Sequence, residues 1–144
     1  MHYEIRDRHE KYVIFTAEAD SFKLAVESAI KRHVNLSQTD LSRVDLSGVD
    51  LSHTSLTNAD LSQSNLSGTN LYGVNMTRAN LSDADVTGAN LYAADLRGAN
   101  LSNANFSKAD LSGTDLAGAN LTGTNFAGAE MIGARLPQIT RLAA

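Results

Sequence analysis

The chain has 144 residues, 42% of them hydrophobic and 6% aromatic, with twelve basic and sixteen acidic residues giving a formal net charge of −4. That length holds one domain, or one repeat domain with a small appendage, and the mildly acidic balance disfavours non-specific nucleic-acid binding. Cysteine is absent, which excludes disulfides and thiolate metal sites. No apolar run approaches the roughly 18 residues of a membrane span, and no secretory leader pattern opens the chain, so the expectation is a soluble, cytoplasmic protein that does not bind membranes.

Residues 1–33 read as a cap. Tyr3 and Ile5, then Val13, Phe15 and Ala17, alternate with polar neighbours on either side of the turn-rich Asp7-Arg8-His9-Glu10-Lys11, the pattern of a β-hairpin. Asp20 or Ser21 is placed to cap a helix that runs to about Arg32. Its apolar face is Phe22, Ala25, Val26, Ala29 and Ile30, at spacings of three and four. Lys31, Arg32 and His33 suit the negative end of that helix. The face is predicted to cover the segment that follows, near Val34 and Leu36.

From Val34 to Gln138 a triplet of small residue, mostly Asp or Asn, then large apolar residue recurs every five positions, on Leu36, Leu41, Leu46 and onward to Leu136 without an insertion. A helix advances about 100° per residue, so a five-residue period wanders around its surface. A strand alternates faces, so positions five apart fall on opposite sides. The residues two before each large one are all small or β-branched (Val34, Thr39, Val44, Val49, Thr54, Ala59 and so on), and positions two apart on an extended piece share a face. Each quintet is therefore a short extended segment with two inward residues, followed by a corner. The corners carry turn chemistry, such as Ser47-Gly48, Tyr72-Gly73, Arg97-Gly98 and Thr122-Gly123. A chain that turns the same way every five residues coils into a solenoid.

These quintets resemble the pentapeptide repeat family, whose pattern is roughly Ala-(Asp/Asn)-Leu-X-X. The pattern stands plainly in Ala59-Asp60-Leu61-Ser62-Gln63, Ala99-Asn100-Leu101-Ser102-Asn103 and Ala109-Asp110-Leu111-Ser112-Gly113. The resemblance implies an all-β solenoid, a right-handed quadrilateral parallel β-helix with one quintet per side and twenty residues per coil. The repeats then make about five coils at about 4.8 Å spacing, a rod about 25 Å tall. The expected division is a hairpin-plus-helix cap at 1–33, the β-helix at 34–138 and a short C-terminal lid at 139–144. Some family members protect DNA gyrase and topoisomerase IV from quinolones or peptide toxins as dimeric rods whose acidic surface mimics DNA. The resemblance thus implies an alternative function of that kind. This chain departs from those members in having no loop between its repeats, no long C-terminal helix and a basic patch at Arg78 and Arg97.

Signals of catalysis are missing. His2, His9, His33 and His53 share no ligand spacing, the glycines sit in turn frames, and no serine has a histidine nearby in sequence to activate it. The expectation is a non-enzymatic protein with no cofactor and no bound metal. Carboxylates twenty apart, Asp40 with Asp60 and Asp95 with Asp115, could hold a cation, although a local role bonding the turn backbone suits them better.

Wrapping the sequence at twenty residues per coil distinguishes the four sides. One carries Asp95 and Asp115 with Arg78, Arg97 and Arg135. Another, built from 49–53, 69–73, 89–93, 109–113 and 129–133, has no Lys or Arg. That side presents Asp50, Asp110 and Glu130, places Tyr72 and Tyr92 on adjacent coils, and carries Ile132 two coils further on. Amphipathic tyrosines beside acidic groups have the composition of a protein-binding face, so these six residues are the candidate binding site. The reading is a protein-interaction or scaffold module whose partner is another protein. Leu136, Ile139 and Leu142 are the candidate homodimer contact at the C-terminal end.

Overall fold

Two antiparallel strands open the chain in a computed structural model that describes residues 1–138. β1, His2–Arg6, pairs with β2, Val13–Glu18, with Tyr3 opposite Ala17 and Ile5 opposite Phe15. α1 follows at Phe22–Lys31, and Ser21 caps it by accepting a hydrogen bond from the Leu24 amide at 3.2 Å. Ala25, Val26 and Ala29 are buried, and Phe22 and Ile30 pack against the same core that contains Leu36. The helix pins the hairpin as well: the Tyr3 and Phe22 rings meet edge-on at 6.0 Å.

Among the described residues beyond α1 there is no long strand. Single parallel bridges instead join residues twenty apart, from Asp40 with Asp60 to Asp115 with Arg135. Twenty residues therefore make one coil, with four corners in it. The cause of each corner is local. From Leu46 to Met131 the carbonyl of each large residue accepts from the amide three residues later, as in Leu46 with Val49 (3.1 Å) and Leu81 with Ala84 (3.1 Å). The residue before that donor lies at φ between +57° and +71° at every corner from Gln38 to Gly133. A turn with positive φ at its third residue is of type II, the geometry that favours glycine there. All ten glycines of the chain occupy this position.

The Asp or Asn of each quintet completes the corner. At every quintet from Asn35 to Asn125 except that of Ser55, its Oδ1 accepts from the amide two residues on, at 2.9–3.2 Å. This Asx turn explains why Asp and Asn interchange freely, since both offer the same acceptor. The stacked carboxylates of Asp40, Asp60, Asp95 and Asp115 are engaged in this way. Among the described residues no group of three or more His, Asp or Glu is placed to hold a metal ion.

The interior is a column of large apolar side chains lined by small ones. Leu41 to Leu116 are buried at every fifth position, with Met76, Val86 and Phe106 among them. Where a small position is Thr or Ser, its hydroxyl bonds a leucine carbonyl, as in Thr39 to Leu36 (2.7 Å) and Ser64 to Leu61 (2.6 Å). Among the described residues no buried side-chain polar atom lacks a partner, as a dry interior requires.

The two ends differ. At the first coil β1 continues into the solenoid: Asp7 bridges Thr39, the Arg8 amide donates to Gln38 (2.7 Å) and the Asp40 amide donates to Arg6 (2.8 Å). That pairing covers an edge otherwise open to other chains. At the last coil Leu121, Phe126 and Met131 are only partly buried and Leu136 is 53% exposed. No helix among the described residues is long and apolar enough to cross a membrane.

Candidate interaction face

The side built from 49–53, 69–73, 89–93, 109–113 and 129–133 gathers aromatic rings. Asn70 and Asn90 hold the corners from which the tyrosines project, accepting from the Tyr72 amide (3.2 Å) and the Tyr92 amide (3.0 Å). The Gly73 amide donates to the Tyr92 carbonyl at 3.0 Å and sets the two residues one coil apart. The rings stack at 5.8 Å between centroids with 7° between their planes. Tyr72 is 39% and Tyr92 48% exposed.

A third ring joins them, from a histidine that shows no ligand spacing in the sequence. His53 meets Tyr72 edge-on at 4.9 Å. A methyl group at Gly73 would stand 2.9 Å from His53 Nδ1, so His53 leans over that glycine. The sequence does hold a signal for this. A large corner residue sits twenty before a glycine at His53 and Gly73, Arg78 and Gly98, and Lys108 and Gly128, and in each pair the side chain reaches over the bare backbone.

Beside the rings runs a ladder of amides. Asn70 Nδ2 donates to Asp50 Oδ1 (3.1 Å) and Asn90 Nδ2 to Asn70 Oδ1 (3.4 Å). Asp50 is held below the usual carboxylate pKa by hydrogen bonds from the Ser52 hydroxyl and amide, with help from Asn70 and His53 against partial burial. The ladder stops at Asp110, because a carboxylate has no hydrogen to pass upward.

The structure brings some candidate residues together and separates others. Tyr72 and Tyr92 touch, and Asp110 bridges Glu130 on the next coil. Ile132 lies two coils below Tyr92 and is 80% exposed. Asp50 stands apart at the head of the face, where it lines a shallow cavity with Ser52 and with Glu27, Ile30 and Lys31 of α1. The quintets of this side carry no Lys or Arg, but the cap supplies one, Lys31, which lines the same cavity as Asp50. Of the candidate dimer contacts, Leu136 is exposed, while Ile139 and Leu142 lie outside the described residues.

The neighbouring side is slightly basic, with both of its carboxylates paired to arginines. Arg97 binds Asp95 through two contacts of 2.8 and 2.6 Å, and Arg135 reaches Asp115 at 3.4 Å. The Arg97 guanidinium holds Asp95 below the usual carboxylate range, against partial burial, with help from the Arg97 amide and Thr77. Arg8 of the cap donates to the Asn58 carbonyl at 2.8 Å on the same side.

Comparison with known proteins gives a consistent result. The family profile described as pentapeptide repeats matches residues 32–63, 54–91 and 104–138, with eight copies in all. No curated protein matches the chain in sequence. Among solved structures, a pentapeptide repeat protein from the Arabidopsis thaliana thylakoid lumen is 41% identical over 65% of this chain and 66% of its own, with a TM-score of 0.63. The pentapeptide repeat protein Rfr23 of the cyanobacterium Cyanothece 51142 is 28% identical over 81% of this chain and 99% of its own, with a TM-score of 0.54. A pentapeptide repeat protein of Nostoc PCC 7120 is 31% identical over 81% and 88%, with a TM-score of 0.50. Such proteins form right-handed quadrilateral β-helices. With its twenty-residue coils, its Asx corners and the profile match over most of its length, this chain belongs to the pentapeptide repeat family.

Proposed function

We propose that the protein is a non-enzymatic interaction module that binds another protein through its tyrosine-bearing side. The observation that carries this reading is the stacked pair of Tyr72 and Tyr92, both partly exposed on a side whose quintets hold carboxylates and no Lys or Arg. Rigid aromatic rings contribute contact area at low entropic cost, and tyrosine is enriched where proteins bind one another. The rod supplies a fixed backbone on which this side presents its groups in register. The reading as a DNA mimic acting on gyrase finds less support in the geometry, because Arg8, Arg78, Arg97 and Arg135 interrupt the acidic surface on the adjacent side.

The test is affinity capture from lysate of the source cells with wild type and a Tyr72→Ala, Tyr92→Ala double variant. Proteins bound by wild type are expected to be lost from the variant, whose melting temperature should stay close to wild type because the rings lie outside the core. Recovery of the same proteins by both would show that the stack serves only to tie coils together.

A further inference from the structure

Tyr92 is the last ring of its stack. Tyr72 lies above it, the layer below holds Ser112, and a large side chain returns only one layer further down, as Ile132. Main-chain bonds fix this order: the Ala93 amide donates to Ser112 (3.0 Å) and the Gly113 amide to Ile132 (2.8 Å). Ser112 is 8% exposed and Gly113 carries no side chain. Together they floor a ledge that has the Tyr92 ring on one side and Ile132 on the other, each about 4.8 Å away along the rod. Asp110 and Glu130 border it. One oxygen of Asp110 accepts the Ser112 amide at 2.9 Å. Neither carboxylate joins an ion pair among the described residues.

We infer that this ledge receives the guanidinium of an arginine carried by the partner polypeptide, stacked on Tyr92 and paired with Glu130 and Asp110. The inference rests on the reading of this side as an interaction surface and names what that surface recognises. A cation within about 6 Å of a tyrosine centroid is attracted by the ring quadrupole. A planar guanidinium can stack on the ring and still offer paired N–H groups to a carboxylate at its edge. A lysine ammonium meets only one of these demands at a time and is more strongly hydrated. A neutral aromatic group would fit the ring but would bury two carboxylates without a counter-charge. Ile132 gives the arginine's methylene stem an apolar surface to lie along.

The experiment is selection from a random-peptide display library on the immobilised full chain, followed by affinity measurements on the selected peptides. Arginine is expected to be enriched over lysine among the binders. Arg→Lys in a selected peptide should weaken binding about tenfold, and Tyr92→Ala and Glu130→Gln in the protein should each do the same. Glu130→Gln preserves size at an exposed position, so it reports on charge without disturbing the fold. Peptides that need Tyr72 and Tyr92 but contain no arginine, or that ignore Glu130→Gln, would overturn the arginine assignment and leave the interaction face standing. A selection yielding no peptide, or only peptides that bind Tyr92→Ala as well as wild type, would overturn both.

Discussion

At the corner residue the chain must enter the left-handed region, and half the corners do so without glycine. Gln38, Arg43, His53, Asn58, Gln63, Arg78, Asp83, Ala93, Asn103 and Lys108 all sit at φ near +58°. An L-residue there costs about 1–2 kcal/mol, while glycine adds about 0.5–1 kcal/mol of unfolded-state entropy. Ala93 shows the balance most cleanly, since its methyl group can make no polar contact. Ala93→Gly is expected to raise stability by up to about 1 kcal/mol, read as a higher melting temperature in a thermal scan. An unchanged or lower melting temperature would mean that the left-handed position costs Ala93 less than glycine's extra entropy. The residue scale was also the most legible in the sequence. The small, Asp/Asn and large positions each answer to a demand made within five residues. His53 was legible only through Gly73, because its contact is made across coils.

The cap is an element of a different kind, since its strands and helix follow ordinary hairpin and capping rules. Their existence could be read from alternation and from Ser21, but their seat on the first coil could not. That seat depends on Asp7, 3% exposed, whose Oδ1 accepts from the His9 and Glu10 amides at 2.8 and 2.6 Å. It depends also on Asp40, which binds Lys11 at 2.9 Å. The amide of Glu10 is the main cause that holds Asp7 below its ordinary pKa of 3.8, against desolvation and with lesser help from His9 and Lys11. For Asp40 desolvation pushes upward, and Lys11 with the Ser42 hydroxyl and amide overcomes it, so this pKa is also lowered. A carboxylate whose pKa falls on folding stabilises the folded state above its unfolded value, and that contribution is lost as pH falls through the folded pKa. Stability should therefore decline as the solution is acidified from about pH 5 through the carboxylate range. An Asp7→Asn variant, whose amide oxygen can still accept both bonds, should show a shallower decline. Melting temperatures between pH 7 and pH 3 measure both slopes, and equal slopes would remove Asp7 from the account. The same gap in the sequence concealed Lys31 beside Asp50, because a repeat pattern carries no information about where an unrelated helix will rest.

At the scale of the whole rod, one apolar column runs through every coil and ends unevenly. Leu81 is buried with coils on both sides, whereas Leu136 lies in the last coil and is half exposed. Leu81→Ala is expected to cost about 2–5 kcal/mol and Leu136→Ala well under half of that, measured by urea denaturation. Equal costs would show that the lower end is covered in solution. The rod's architecture was readable because the period of five forces it. The candidate face was readable only once twenty residues were assigned to a coil, which aligned Tyr72 with Tyr92. The amide ladder and the ledge beneath Tyr92 required atoms.

The bridges between residues twenty apart carry a consequence for changes in length. Removal of one quintet, such as residues 79–83, leaves every other quintet with the large residue and the corner that it had before. The packing rules are satisfied as before, and the shortened chain meets each local condition for folding. Yet everything after the cut is carried a quarter of the way around the rod, and Tyr92 arrives on a different side from Tyr72. Removal of four quintets restores the alignment. Folding therefore tolerates insertions and deletions in steps of five, while a composite face survives them only in steps of twenty.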